Sequence, residues 1–496
     1  MSDSRSTTRK KVRNKECLKK YQRRLPVLTY DLQKTEGPLY EALYNAIKTD
    51  ILTGVLEPNE KLPSKRRMAS NNGISVITVE NAYGRLLSEG YIQSKPKSGF
   101  YVCDIKGLEH EIPKTDIFEH SKNDAIQSKH IADFSNNQTP TDLFPFDDWS
   151  KATRSVLSRR HEELLENSPS CGVLQLRRSI AEYLKEYRGL EVDESTIVVG
   201  AGSEFLYGLI VQLIGMEVVY GIENPGYRKQ ELTYKAQGVR VEHLRIDDKG
   251  VQAEELEDKD IGVVHITPSH QYPTGIVMPI SRRYELLAWA AEKHGRYIIE
   301  DDYDSELRLD GKPIPSFKSI DREDCVIYLN TFSKTLCSTV RISYMVLPPE
   351  LMRLFNERLS FYSCTVSTFE QYTLQEFMES GRIGTHINRL RTYYRRKRDA
   401  LIGALRKSQL GPCVEISSEK AGLHFLMKVH TQKKEEDVLR AAELEGIGLC
   451  SLSSFPRKNS ETGAHATDSN TFVMNYATLD VSRLDEIIGK LCRVFV

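Results

Sequence analysis

Lys334 stands at the end of an apolar run, directly after a hydroxyl and seven residues ahead of Arg341, in the stretch YLNTFSKTLCSTVRISYMVLP that covers residues 328 to 348. A lysine leaving a buried strand must stay solvated or be held by chemistry. Four other strand-like runs also end in polar or glycine-bearing turns: GAGSE at 200–204, ENPGY at 223–227, TPSHQYPTG at 267–275 and EDDYDSE at 300–306. Taken singly, each is ordinary turn or capping chemistry. Together they supply an amine, carboxylates, hydroxyls and the free amides of a helix start, which bind anions. Pyridoxal phosphate uses that whole set: its aldehyde condenses with a lysine amine, its pyridinium nitrogen takes a carboxylate, and its phosphate takes amides, hydroxyls and an arginine. Lys334, Asp301, and the group Gly202, Ser203, Thr331, Ser333 and Arg341 answer those demands in turn.

Bringing five strand ends to one edge requires a particular scaffold. The short apolar strands TIVVG, EVVYGIE, IGVVHITP, RYIIEDD and CVIYLN alternate with helical stretches such as SEFLYGLIVQLI and SRRYELLAWAAEKHG. That alternation predicts an α/β domain around a mostly parallel sheet, with ligands at the carboxyl ends of its strands. At 496 residues, 40% apolar and 28% charged, the chain has the balance of a globular protein with two or more domains. Its zero net charge hides an asymmetry, because the first 25 residues hold ten Lys or Arg against Asp3 and Glu16. The nine cysteines contain no C-x-x-C pair, which argues against a disulfide framework and a zinc site. The basic arm lacks the apolar core of a secretory signal, and no stretch has the roughly 18 uncharged apolar residues of a membrane helix. A protein of the reducing cytoplasm, with no membrane partner, is expected.

Residues 1–36 read as a basic arm, and residues 37–103 read as a small helical module. In GPLYEALYNAIKTDILTG, Leu39, Leu43, Ile47 and Ile51 recur at helical spacing between Pro38 and Gly54. Ser64 can cap a second helix over KRRMASNNG, and Ser75 a third over VITVENAYGRLLSEG. YIQSKPKSGFYV then alternates into a hairpin broken by Pro96 and Gly99, with Lys95 and Lys97 near its tip. Helix, helix-turn-helix and wing is the order of a DNA reader. Ser75, Thr78 and Asn81 give the third helix a polar start suited to base edges, while Lys65, Arg66, Arg67, Lys95 and Lys97 suit phosphates. Residues 104–130 are polar and aperiodic, a linker, and 131–496 hold the α/β domain.

The module resembles the winged-helix domain of the GntR superfamily: LPSKRRMA stands where that family has L-P-S-x-R-x-L-A, and TVENAYGRLLSEGYI and KSGFYV match the rest of its signature. The remainder resembles a fold type I aminotransferase, and the fusion has the layout of MocR/GabR-type transcriptional regulators. The resemblance implies an operator-binding homodimer, domain-swapped, with a small amino compound or the cofactor itself as effector. It carries the pyridinium contact to Asp301, the contact with the cofactor's phenolic oxygen to Tyr303, ring stacking to Tyr227, the aldehyde to Lys334 and the phosphate to Arg341. Three departures stand out. Val76 replaces the arginine usual after the serine that opens the recognition helix. Tyr272 replaces the asparagine that true aminotransferases have before P-T-G, leaving His270 or Gln271 to take its place. Val473, in FVMNYATL, replaces the arginine that grips a substrate carboxylate, so another base such as Arg457 holds the ligand or the ligand is no simple α-amino acid. The expected function is a pyridoxal-phosphate-dependent regulator with weak turnover or none. A working aminotransferase with an appended helical domain is the alternative, and Tyr272 and Val473 weigh against it.

Overall fold

In the computed structural model the chain divides into two compact units, Met1–Ile126 and Gln127–Val496. The structure describes residues 28–30, 32, 37–104, 130–136, 139–310, 314–420, 422–455 and 470–495. The expected arm up to residue 27, most of the 104–130 linker and Arg457 lie outside the described residues.

The smaller unit is built from three helices and a hairpin. Leu43, Tyr44, Ile47 and Ile51 bury one face of α1 (Leu39–Leu52). Helix α2 (Lys65–Asn72) is capped by Ser64, whose side chain accepts from the Arg67 amide, and ends at Gly73, whose φ of 64° suits a left-handed cap. Helix α3 (Val76–Ser88) is capped by Ser75 and buries Val79, Ala82, Tyr83 and Leu86. Strands β1 (Ile92–Lys95) and β2 (Gly99–Val102) pair antiparallel, Ile92 opposite Val102 and Lys95 opposite Gly99. Leu28, Tyr30 and Leu32 join the same core ahead of residue 37. The Tyr30 amide donates to Asn72 Oδ1 at 2.6 Å and its hydroxyl to Asp50 at 2.8 Å, which fastens this short stretch to α1 and α2.

The larger unit is organised by an eight-stranded sheet. Its strands are β3 (Ile197–Gly200), β4 (Tyr220–Asn224), β5 (Val241–Asp247), β6 (Gly250–Val251), β7 (Val263–Ile266), β8 (Tyr297–Asp301), β9 (Val326–Thr331) and β10 (Ser343–Val346), in the order β3-β10-β9-β8-β7-β4-β5-β6. From β9 across to β5 all pairs are parallel. Strand β10 runs antiparallel to both β9 and β3, so β3 points the same way as the parallel set. Both faces are covered, which is why these strands read as unbroken apolar runs. In β3, Ile197 and Val199 pack to one side and Val198 to the other; in β10, Tyr344 and Val346 oppose Met345. Helix α4 (Ser203–Ile214) leaves β3 through Gly202 and contributes Leu206, Leu209 and Ile210 to one layer. A separate three-stranded sheet, β11 (Val414–Ser417), β12 (His424–Val429) and β13 (Thr471–Asn475), carries its own core with the terminal helix Leu484–Phe495.

One buried ion pair ties a helix to the sheet's carboxyl edge. Arg188, last residue of the helix Leu174–Arg188, places Nε 2.8 Å from Asp302, both side chains almost wholly buried. Burial works to raise the Asp302 carboxyl, but Arg188 with the surrounding donors holds it below its ordinary value. Removing one partner strands the other charge, at a cost of about 3–5 kcal/mol. Arg188→Leu should therefore lower the stability of the larger unit by that amount. Denaturant unfolding of the full chain reads it cleanly, because Trp149 and Trp289, its two tryptophans, both lie in that unit. A loss under about 1 kcal/mol would show that the other donors to Asp302 suffice.

Candidate functional sites

The parallel strands bring the five turns to one edge. Asp301 is the last residue of β8 and pairs in register with Leu329 of β9, five residues before Lys334. Its Oδ2 accepts from the Tyr207 hydroxyl at 2.6 Å and lies 3.4 Å from His265 Nε2. His265 is fixed from its other nitrogen, Nδ1, 2.7 Å from the Tyr234 hydroxyl. Tyr207 and His265 are not among the site residues expected from the sequence. Their signals are faint: Tyr207 lies one helical turn after Ser203, and a histidine interrupts the apolar run VVHI.

Lys334 leaves β9 half-buried. Burial pushes its ammonium down to about 8, with Asp304 pulling the other way. Asp304 Oδ2 lies 2.9 Å from His270 Nδ1, and the His270 ring lies tilted against His424 with centroids 4.4 Å apart; burial, and next to it the neighbouring His270 and Lys334, hold the His424 imidazole well below its ordinary value. The Tyr303 hydroxyl donates to the His270 carbonyl at 3.0 Å. Thr331 and Ser333 are joined, Oγ1 to Oγ at 2.9 Å, and Ser343 donates to Thr331 at 2.8 Å, so the hydroxyls ahead of Lys334 form one chain. Gln271 is bonded within its own loop. Its amide nitrogen donates to the carbonyls of Pro225 and Tyr272 at 2.9 and 2.8 Å, and its oxygen accepts from the Thr274 amide at 3.0 Å. Among the described residues, His270 Nε2 and Glu223 Oε1 are buried with no hydrogen-bond partner.

The anion cradle forms where α4 begins. Gly202 has φ 96°, which favours glycine, and a Cβ there would meet the Arg341 guanidinium, so the glycine leaves room for that group beside the start of α4. Arg341 itself sits at φ 54° and donates to the Ala201 carbonyl at 3.2 Å. It also meets Glu204 at 2.6 Å, and Lys229 pairs with the same carboxylate. Glu204 therefore competes with an anion for Arg341. With the Arg341 side chain half exposed, such a pair is worth about 0–1 kcal/mol, less than a charge-assisted bidentate grip on phosphate. The cradle, Asp301 with its two supports, and the half-buried Lys334 fit pyridoxal phosphate. Tyr227, 48% exposed, opens the helix Arg228–Ala236 and stands edge-on to Tyr272 with ring centroids 6.1 Å apart.

Val473 is fully buried in β13, opposite Leu426, and is absent from the apolar core that takes its neighbours Phe472 and Met474. It shares its strand face with Asn475, which pairs with His424 of β12. Around that face Tyr272 meets His424 at 5.2 Å and Phe455 at 5.5 Å. This wall is aromatic and neutral. Burial pushes the Tyr272 phenol up to about 12.

In the smaller unit Arg66, Arg67, Asn81 and Lys97 are exposed. Lys97 adopts φ 59° at the hairpin tip, and Gly99 follows at φ 111°. Lys65 is bound to Glu80 at 2.6 Å. Ser75 Oγ accepts from the Thr78 amide at 3.1 Å and contacts Thr78 Oγ1 at 2.8 Å, so these two hydroxyls are engaged in starting α3.

Comparison with known proteins agrees with both halves. Residues 39–102 match the family of bacterial regulatory proteins called gntR, and 129–455 match aminotransferase class I and II. The HTH-type transcriptional regulator YdeL of Bacillus subtilis is 35% identical over 92% of this chain and 96% of its own length. The probable rhizopine catabolism regulatory protein MocR of Rhizobium meliloti is 28% identical over 92% of this chain and 94% of its own. Among solved structures, the multiple substrate aminotransferase of Thermococcus profundus superposes with a TM-score of 0.64 at 24% identity, over 76% of this chain and 94% of that one, which shows the fold. Among the described residues no helix is long and apolar enough to cross a membrane, and no group of three or more His, Cys, Asp or Glu is placed to hold a metal.

The depressed Lys334 ammonium has a direct readout. Acylation of Lys334 by acetic anhydride, followed by peptide mass spectrometry across a pH series, should show a midpoint near 8, whereas an exposed lysine titrates at about 10.4. A midpoint matching that of an exposed lysine would mean that solvent reaches the amine.

Proposed function

The chain belongs to the MocR-type regulators, gntR-family proteins that carry an aminotransferase class I and II domain, and on that premise we propose a cytoplasmic, pyridoxal-phosphate-dependent transcriptional regulator whose larger unit senses an amino compound. The observation that carries this reading is the convergence of Lys334, Asp301 and the Gly202–Arg341 cradle on one sheet edge, in a chain that also carries a winged helix. Pyridoxal phosphate, when bound, supplies an aldehyde that exchanges one amine for another. Lys334 would hold its aldehyde; Asp301, steadied by Tyr207 and His265, would pair with its ring nitrogen; Arg341, Ser203 and the first-turn amides of α4 would hold its phosphate. Tyr227, Tyr303 and His270 are the side chains that would lie about its ring. The amine of Lys334, when free, would accept the proton that an incoming ammonium group gives up and hold it beside Asp304. The regulator is a homodimer with swapped readers, and the balance between two dimer arrangements shifts by the difference in ligand affinity.

Two linked measurements test both halves of this function. Borohydride treatment of the protein saturated with pyridoxal phosphate should leave one pyridoxyl group, on the peptide that contains Lys334. The same protein should bind duplex DNA with a steep salt dependence, and Arg66→Ala and Lys97→Ala should each flatten the slope by about one unit. An adduct elsewhere removes the sensor; an unchanged slope removes the reader.

Val473 supports a further part of the reading, an effector without a free α-carboxylate. A carboxylate entering a buried neutral wall without a cation costs several kcal/mol, while a bidentate arginine offsets that cost. The wild type should bind common α-amino acids weakly, and Val473→Arg should strengthen them at least ten-fold, read from the visible spectrum of the cofactor-loaded protein during titration. Tight wild-type binding left unchanged by the substitution would assign the grip to another residue.

A further inference from the structure

We propose that Val76 and Ile77 are specificity determinants of the reader, packing against thymine methyl groups in the major groove while Asn81 takes an adjacent adenine. The inference rests on reading the smaller unit as a DNA reader. Helix α3 buries Val79, Ala82, Tyr83 and Leu86 in the unit's core, yet leaves Val76 42% and Ile77 70% exposed on its first turn. An isolated exposed aliphatic residue is ordinary. Two in succession, at the end of a recognition helix that enters the groove first, are placed where base edges are read. Ile77, Asn81 and Gly84 lie along one line of the helix at spacings of four and three. Gly84 is exposed with open space around it, so beyond Ile77 and Asn81 the line adds no side chain that would hold the helix off a groove floor.

The surroundings select the occupant. Arg66 and Arg67 of α2 and Lys95 and Lys97 of the hairpin are exposed around this helix, and the acidic Glu80 is held by Lys65 at 2.6 Å. An apolar patch rimmed by cations complements a polyanion that shows apolar surface between its phosphates. In duplex DNA the apolar feature of the major groove is the thymine C5 methyl, and the amide of an asparagine pairs with adenine N6 and N7. Ser75 and Thr78, bonded to each other and to the helix start, hold this turn in place. The replacement of a basic residue by Val76 thus changes what the helix reads, from a charged or hydrogen-bonding edge to a methyl.

The test uses the full chain. Duplexes enriched from a random pool should contain A·T pairs at the positions under α3. Replacing single thymines there with uracil removes only the methyl, and at one or two positions should weaken wild-type binding roughly four-fold, as expected for about 0.8 kcal/mol per buried methyl. In Ile77→Ala or Val76→Ala one of those penalties should vanish while the salt slope stays as in the wild type. Both side chains are exposed, so the variants should keep the fold, which circular dichroism checks. If uracil changes nothing in the wild type, or its penalties persist in both variants, the methyl reading is wrong while the reader stands. If the variants alter oligomeric state without any uracil effect, the patch docks on protein and the proposal falls. If the chain enriches no duplex and binds none, the DNA-reader assignment falls, and this inference with it.

Discussion

Three consecutive carboxylates, Glu300 and Asp301 at the end of the central strand β8 and Asp302 just beyond it, have at most 9% of their surfaces exposed. Like charges this close, in a medium of low permittivity, persist only if each has a separate partner. Strand alternation provides the separation. Glu300 and Asp302 turn toward Arg283 and Arg188, at 3.6 and 2.8 Å, while Asp301 turns the other way, to Tyr207 and His265. Burial raises the Glu300 carboxyl, which accepts from the amides of Phe317 and Lys318. The site depends on this arrangement: the parallel register of β8 with β9 brings Asp301 and the turn that carries Lys334 to one sheet edge, and α4 brings Tyr207 and the anion cradle to the same edge.

What can be read from the sequence is local in the chain. The strand runs, their polar ends, the serine caps and the glycine turns each announce themselves within a few residues, because propensity and turn chemistry act at that range. Lys334, Asp301, Gly202 and Arg341 are legible for the same reason. The supporting shell is not. Tyr207 and His265 become partners of Asp301 only when three separate segments meet, and nothing in a single stretch encodes that meeting. The partners of Gln271 are likewise invisible in one stretch: its amide bonds Pro225 from a distant turn as well as Tyr272 and Thr274 of its own. Leu28, Tyr30 and Leu32 read with the arm because basic residues dominate their neighbourhood, although each finds apolar or hydrogen-bonding contact on the small helices.

The electrostatics of the site favour sensing over turnover. An enzyme that moves amino groups repeatedly has its grip on the substrate carboxylate built in, and here the corresponding wall presents Val473, Leu426 and aromatic rings. The cradle in turn carries its own carboxylate, Glu204, so that phosphate must draw Arg341 away from an existing pair. Neither feature prevents binding; both reduce the differential stabilisation on which fast chemistry depends. A regulator has another requirement, a change at the site that two global arrangements value differently. Lys334 supplies one. Its ammonium is pushed down to about 8 by burial, so the amine is mostly charged at neutral pH once released, beside Asp304 and the neutral His424. In the proposed function, an amine that displaced Lys334 would leave this charge beside Asp304, and two arrangements that shield it differently would shift in balance.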